Sequence, residues 1–578
     1  MIDTSEKLAG LLLPAFALRR PDDLGIGDTQ SVKEAIDFCV AHNIGVLQML
    51  PINETGGDNS PYNAISSVAL DPVTLSMTPD TVPGLTQEII DRVATRERVE
   101  PLRAASSVDY TKVKPLKSHL LGEAFGGFKN NHLSKNTPEA AEYQRFLKEQ
   151  EHWLNDYTLF RTLIDANGGN PTWSKWPEDQ RSAQQARKWL ATAAQKQDIE
   201  NGREFFAYVQ WVAWRQWHDV RAYADRQKVR LMGDIPFGVS KYSSDVWANQ
   251  NLFDMDWSGG APAETWFKDD PFTAKWGQNW GLPVYRWEAH EQEGFAWWRQ
   301  RVQKCVEIFH YFRIDHVLGF FRIYAFPWDP ELNGEFLILT EEEAKERTGG
   351  RLPGFKPRPD EEKEDAARNA EEGKALLQMI LNAAGESGVV AEDLGMVPNY
   401  VRPLLTQMGI PGFTIPYWER LENQELKPLK TLPKLSLATY ATHDHQPLKI
   451  YYEQLVREWQ GKDGHASWLD IQRIMRFLGL DEDTPPKEYT EQLHHGFVKA
   501  LLQSPCWLAV FMITELLGTT QRFNAPGTSG ASNWSTRLDH PLDYYAQSSP
   551  FKERVADFEK MVKETKRLPH AWSVGTIR

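Results

Sequence analysis

One recurring unit constrains this chain more than any other feature: an amphipathic helical stretch, then a short apolar run, then a turn or an acid. Ser31 to Asn43 carries Val32, Ala35, Ile36, Cys39 and Val40 at the spacing of one helix face. Val46-Leu47-Gln48-Met49-Leu50 follows as a strand and is stopped by Pro51. Phe205 to Gln227 is helical in the same way and precedes Val229-Arg230-Leu231-Met232, which ends at Gly233-Asp234-Ile235-Pro236. Phe295 to Phe309 leads into Tyr311-Phe312-Arg313-Ile314-Asp315, and Ala366 to Ala384 into Gly388-Val389-Val390-Ala391-Glu392. A short helix after Pro398, strands at Gly412 to Ile415 and Leu435 to Asp444, and a last strand at Trp507 to Phe511 complete the series.

Strands that alternate with helices pair in parallel, because parallel neighbours need a crossover. With about seven or eight such units, a closed barrel is more economical than an open sheet of that width. The expected fold is therefore α/β: a (β/α)8 TIM barrel with helical insertions between barrel elements, one catalytic unit over residues 1–578. Two stretches break the repeat. Residues 83–201 are polar and helical in pattern, and are expected to form a mainly helical insertion. Residues 331–365 are rich in charge and Pro, including Glu341-Glu342-Glu343, and read as a charged loop and helix insertion.

Bulk properties narrow the partners. The net charge of −14 argues against a nucleic-acid binder, which needs a basic surface, and gives no attraction to anionic lipid. Cys39, Cys305 and Cys506 are too far apart for a disulfide framework or a structural zinc site. Met1 to Lys7 carries acids and no extended apolar run, and no stretch approaches a membrane span. No membrane association is expected, and the cytoplasm is the expected location. The 22 Trp residues are numerous enough to supply flat, amphipathic surfaces for sugar rings beyond those the core uses.

In a barrel of this kind chemistry collects at the C-terminal ends of the strands. An acid stands there four times: Asp234, Asp315, Glu392 and Asp444. Helix capping explains any one of them equally well, but four at the same topological position are harder to explain by caps alone. Side chains alternate along a strand, so Arg313 and Asp315 share a face. The guanidinium favours the ionised Asp315, which suits either a nucleophile or a buried structural ion pair. Glu392 has no cation beside it in sequence; burial would raise its pKa and suit it to donate a proton. Neighbouring Asp393 would add like-charge repulsion if it faced the same cavity. In Thr442-His443-Asp444-His445, a His-Asp pair could hold sugar hydroxyls. The rival reading, His316, His443, Asp444 and His445 as metal ligands, fits no recognised spacing, so neither metal nor cofactor is expected.

The strings Phe312-Arg313-Ile314-Asp315-His316, Val390-Ala391-Glu392-Asp393-Leu394-Gly395 and Ala441-Thr442-His443-Asp444 resemble the catalytic motifs of the 4-α-glucanotransferases, the amylomaltases related to the α-amylase clan. Gly25-Ile26-Gly27-Asp28, Asn59-Ser60-Pro61-Tyr62, Gly233-Asp234-Ile235-Pro236, Trp276-Gly277-Gln278-Asn279-Trp280-Gly281, Gly409 to Phe413, and Pro526-Gly527-Thr528 with Asn533-Trp534 resemble the family in the same order. The resemblance implies transfer of α-1,4-glucan segments to a maltooligosaccharide or glucose acceptor by a retaining double displacement. It implies Asp315 as nucleophile, Glu392 as acid and base, and Asp444 on the hydroxyls of the ring being cleaved. It further implies that Arg313 orients Asp315, and that Tyr62, Asp234, Gln278, Trp280 and His443 line the glucan subsites. Leu13 to Arg19 and His445-Gln446-Pro447 depart from the commoner pattern, which bears on chain-length preference. A hydrolase with the same carboxylates, and a non-catalytic glucan-binding barrel, are the rival readings.

Overall fold

The computed structural model describes residues 2–263, 270–462, 464–526 and 533–569. Twelve strands occur among them: β1 (Leu8–Leu12), β2 (Val46–Gln48), β3 (Arg230–Ile235), β4 (Phe253–Ala261), β5 (Gln278–Tyr285), β6 (Tyr311–Ile314), β7 (Ile323–Phe326), β8 (Gly354–Lys356), β9 (Gly388–Ala391), β10 (Gly412–Thr414), β11 (Ser436–Ala438) and β12 (Leu508–Met512). Eight of them form one sheet in the order β10-β11-β12-β1-β2-β3-β6-β9. Every neighbouring pair in it is parallel.

The two ends of this sheet meet without a full ladder. Ala391 N–H donates to the Pro411 carbonyl at 2.9 Å, and Phe413 N–H donates to the Asp393 carboxylate at 2.6 Å. A Cβ at Gly412 would lie 2.7 Å from that carboxylate, so this position has no room for a side chain. One side-chain bond thus does the work of a missing rung, and the sheet is a nearly closed (β/α)8 barrel. The strands are buried almost throughout, as their continuous apolar runs require.

Helices Thr29–Ala41, Lys196–Gln227, Ala296–Ile308, Lys363–Ala384 and Val401–Met408 fall where the apolar spacing places them. Asp28 caps the first by accepting the Ser31 N–H. Between β2 and β3 lie six further helices from Gln87–Val93 to Ala183–Thr192. The expected boundary at 201 falls inside the 32-residue helix Lys196–Gln227. Asn201-Gly202 does not break that helix: a Cβ at Gly202 would lie 2.6 Å from Thr162 Cγ2, so the glycine serves close packing against helix Glu151–Ala166.

The other four strands form an antiparallel sheet, β5-β4-β7-β8, which the helix-and-run pattern did not foretell. It corrects the reading of 331–365, because that stretch contributes β8 as well as helices Asn333–Leu337 and Glu341–Arg347. β4 and β5 interrupt the connection after β3, and β7 and β8 the connection after β6. Both insertions therefore leave the barrel at its C-terminal end, beside the acids.

Candidate active site

Strand register brings the charged groups together. Asp234 of β3 is level with Arg313 of β6, and Ile314 with Ala391 of β9. Asp315 and Glu392 are each the next residue along. Arg313 is almost fully buried and serves three acids at once. Its Nη1 donates to Asp234 Oδ2 at 2.6 Å and its Nη2 to Asp315 Oδ1 at 2.7 Å. The same Nη2 lies 3.9 Å from Glu392 Oε2.

The three acids are not equivalent. The Asp315 side chain is 30% exposed, on the open side of Arg313. Glu392 is buried, and its oxygens accept the His316 N–H at 2.8 Å and the Leu394 N–H at 3.2 Å. Burial raises its pKa; the nearby charge of Asp315 adds to this, while Arg313 opposes it. Asp393 plays a part beyond the one expected: its carboxylate turns to Phe413 N–H and to Arg402 at 3.0 Å, closing the barrel. Its charge also raises the Glu392 pKa, by less than burial or the charge of Asp315 does.

Asp234 also departs from expectation. Its side chain is 1% exposed and stands behind Arg313 instead of on the cleft surface. Oδ2 accepts both Arg313 and the Tyr62 hydroxyl, the latter at 2.7 Å, and Oδ1 has no partner in the protein. Burial pushes this carboxyl up to about 7 against the pull of Arg313, with the charge of Asp315 adding to it. Asp234 thereby orients two cleft residues without reaching the cleft itself.

Asp444 does not end a strand. Only Ser436–Ala438 of the expected Leu435 to Asp444 strand joins the ladder. The chain then turns: His445 N–H donates to the Thr442 carbonyl at 3.1 Å, and Thr442 N–H to His445 Nδ1 at 3.0 Å. In that turn Asp444 Oδ1 accepts Asn524 Nδ2 at 2.6 Å and lies 3.3 Å from His443 Nε2. Burial opposes ionisation, but His443, Asn524 and Arg313 outweigh it and hold the carboxyl below its ordinary value. Asn524 escaped the sequence reading, although it lies two residues before the Pro526-Gly527-Thr528 string. Gly527 and Thr528 themselves lie outside the described residues.

Around the acids stand flat rings. Tyr62 stacks on His443 with centroids 4.9 Å apart and planes 16° apart, and Trp534 leans on both. Trp280 meets His316 edge-on at 5.0 Å and donates to Gln278 Oε1 at 3.1 Å. The cleft they share has a volume of about 1260 Å³ and takes in Tyr62, Gln278, Trp280, Arg313, Asp315, Glu392, His443 and Asp444. Arg322, Tyr324, Phe355, Met396 and Trp418 also line it and were not singled out by sequence. Each imidazole of the rival metal set has a ring or hydrogen-bond partner in the protein. Among the described residues no group of three or more His, Cys, Asp or Glu is arranged to hold a metal ion, and no helix is long and apolar enough to cross a membrane.

Comparison with known proteins places the chain in a family. The family model described as 4-alpha-glucanotransferase matches residues 13–543. A 4-alpha-glucanotransferase of Chlamydia pneumoniae is 29% identical over 569 residues, covering 95% of each chain. One from Thermus thermophilus is 28% identical over 565 residues, covering 97% of this chain and 99% of the other. Among solved structures, an amylomaltase from Streptococcus agalactiae in complex with acarbose superposes with a TM-score of 0.74 at 21% identity, over 97% of this chain and all of that one. An amylomaltase from Corynebacterium glutamicum gives a TM-score of 0.74 at 18% identity, over 97% and 75% of the two chains. With its barrel and with a family match running across most of its length, the chain belongs to the 4-alpha-glucanotransferase family.

Proposed function

We propose that this protein carries out the family's transfer reaction on α-1,4-glucans through Asp315, Glu392 and Asp444, by a retaining double displacement. The observation that carries the assignment is the unequal placement of two carboxyls around one guanidinium. Asp315 takes a direct 2.7 Å hydrogen bond from Arg313, while Glu392 stands at 3.9 Å, is buried, and has its pKa raised. One carboxyl faces the cleft with a guanidinium at its side and the other is buried as a proton donor, the division that glycosidic cleavage needs. Their common nitrogen is compatible with the roughly 5 Å separation used by retaining enzymes.

In the first step the Asp315 carboxylate forms a bond to the anomeric carbon as the glycosidic bond breaks. The proton of Glu392 goes to the departing glycosidic oxygen. In the second step ionised Glu392 takes a proton from an acceptor hydroxyl, whose oxygen bonds to the same carbon and releases Asp315. Two inversions restore the α configuration. Asp444, fixed by Asn524 and His443, accepts hydrogen bonds from the ring hydroxyls. Tyr62 and His443 offer that ring an apolar face, and Gln278 and Trp280 a second binding surface. Donors and acceptors are neutral maltooligosaccharides, with glucose as the smallest acceptor. Incubation with maltotriose tests the reading. A ladder of longer oligosaccharides with free glucose is expected; glucose and maltose with nothing longer would assign the second step to water.

A further inference from the structure

Of the three arginines that line the cleft among the described residues, Arg313 and Arg420 donate to protein groups through their terminal nitrogens and Arg322 does not, though its surroundings hold it in place. The guanidinium carbon lies 3.5 Å from the centroid of the Phe355 ring, and Nε lies 2.5 Å from Asp360 Oδ2. Asp360 is fixed in turn by Asn369 Nδ2 at 2.6 Å and by the Tyr400 hydroxyl at 3.1 Å. The Arg322 side chain is only 11% exposed, and what is exposed lines the cleft. Nη1 and Nη2 thus present a planar fork of donors to the cleft. Burying charged donors without acceptors is costly, and a guanidinium fork fits two adjacent oxygens.

The charge balance says which oxygens. Asp360 already neutralises Arg322, so the fork offers strong donors without a net positive charge. That chemistry fits the vicinal hydroxyls of a neutral sugar better than a phosphate ester. Phe355 backs the guanidinium, and Tyr324, edge-on to Phe355 at 5.2 Å, extends an apolar surface beside it. In sequence Arg322 lies seven residues beyond Asp315, across the short helix Val317–Phe320 and just before β7. It therefore stands where the cleft passes from the barrel to the antiparallel sheet. We infer that Arg322, braced by Phe355 and Asp360, forms a glucosyl subsite away from the scissile bond that grips a vicinal diol and favours longer glucans. This rests on the glucanotransferase reading above. The charged segment 331–365 supplies two of its three parts.

The test compares kcat/KM for maltoheptaose and maltotriose in the wild type, Arg322→Met and Arg322→Lys, with thermal unfolding as the check on folding. Arg322→Met is expected to lower the maltoheptaose-to-maltotriose ratio about tenfold, chiefly through KM for the longer chain. Arg322→Lys is expected to recover little of it, because an ammonium cannot reproduce the fork. An unchanged ratio, or an equal loss on both substrates, overturns the inference. Calorimetric titration of maltoheptaose into Asp315→Asn and into Asp315→Asn with Arg322→Lys gives the same answer without turnover. Equal affinity in the two overturns the subsite even if the wild type makes no oligosaccharide ladder, a result that would instead sink the transfer reading.

Discussion

The parallel barrel and the antiparallel sheet share one cleft and contribute to it in different ways. From the barrel come groups whose positions are locked by backbone register: Arg313 within β6, Asp315 after it, and Glu392 after β9. Each is an ionisable group, and each is held by at least two hydrogen bonds or by a buried neighbour. The sheet contributes surfaces: Gln278 and Trp280 on β5, Tyr324 on β7 and Phe355 on β8. Its ladder is irregular, with register shifts between Asp254 and Ser258 and between Gly259 and Gly260. Bulged strands are suited to re-aiming side chains beside an active site. The contrast teaches a division of labour, in which the barrel fixes the chemistry and the sheet fixes what the chemistry is presented with.

Substitutions on the two sides should therefore fail differently. On the barrel side, Glu392→Gln should lower kcat by about 10² to 10⁴. The first step needs the protonated acid, and burial has raised its pKa, so wild-type activity should hold at lower pH and fall as pH rises through that raised value. The alkaline limb should vanish in Glu392→Gln. A pH profile that keeps the limb would assign the proton elsewhere. On the sheet side, Gly260→Ala should act more weakly and on binding. A Cβ there would lie 1.9 Å from the Gln278 carbonyl oxygen and 2.9 Å from Phe326 Cε2, so β4 and β5 must shift. The expected cost is about 1–3 kcal/mol of stability, with KM for glucan rising about three- to tenfold and kcat changing less. A loss confined to kcat would erase the proposed division.

The same contrast governs what could be read from sequence. Barrel strands such as Tyr311–Ile314 and Gly388–Ala391 are buried on both faces, so they announce themselves as apolar runs after helices. Phe253-Asp254-Met255-Asp256-Trp257-Ser258-Gly259-Gly260-Ala261 mixes buried and exposed positions around its bulges, so neither strand nor helix period emerges from it. The run Leu435 to Asp444 read as one strand because its first residues are apolar. The turn beyond Ala438 depends on His445 bonding Thr442, a contact that no periodicity encodes. Asp393 and Asp234 were recognisable as acids near the site, but not as a barrel clasp and a hidden support. Those roles follow from which way a side chain points at the end of a strand, where regular alternation stops.

The account depends above all on Asp315 forming a bond to the sugar. In Glu392→Gln, α-glucosyl fluoride supplies a leaving group that needs no protonation, so the first step can proceed while the second is slowed. Peptide mass analysis of the quenched protein should then find the peptide containing Asp315 heavier by one anhydroglucose unit, and no such gain in Asp315→Asn with Glu392→Gln. Fluoride release without any adduct, giving a product of inverted configuration, would contradict the double displacement.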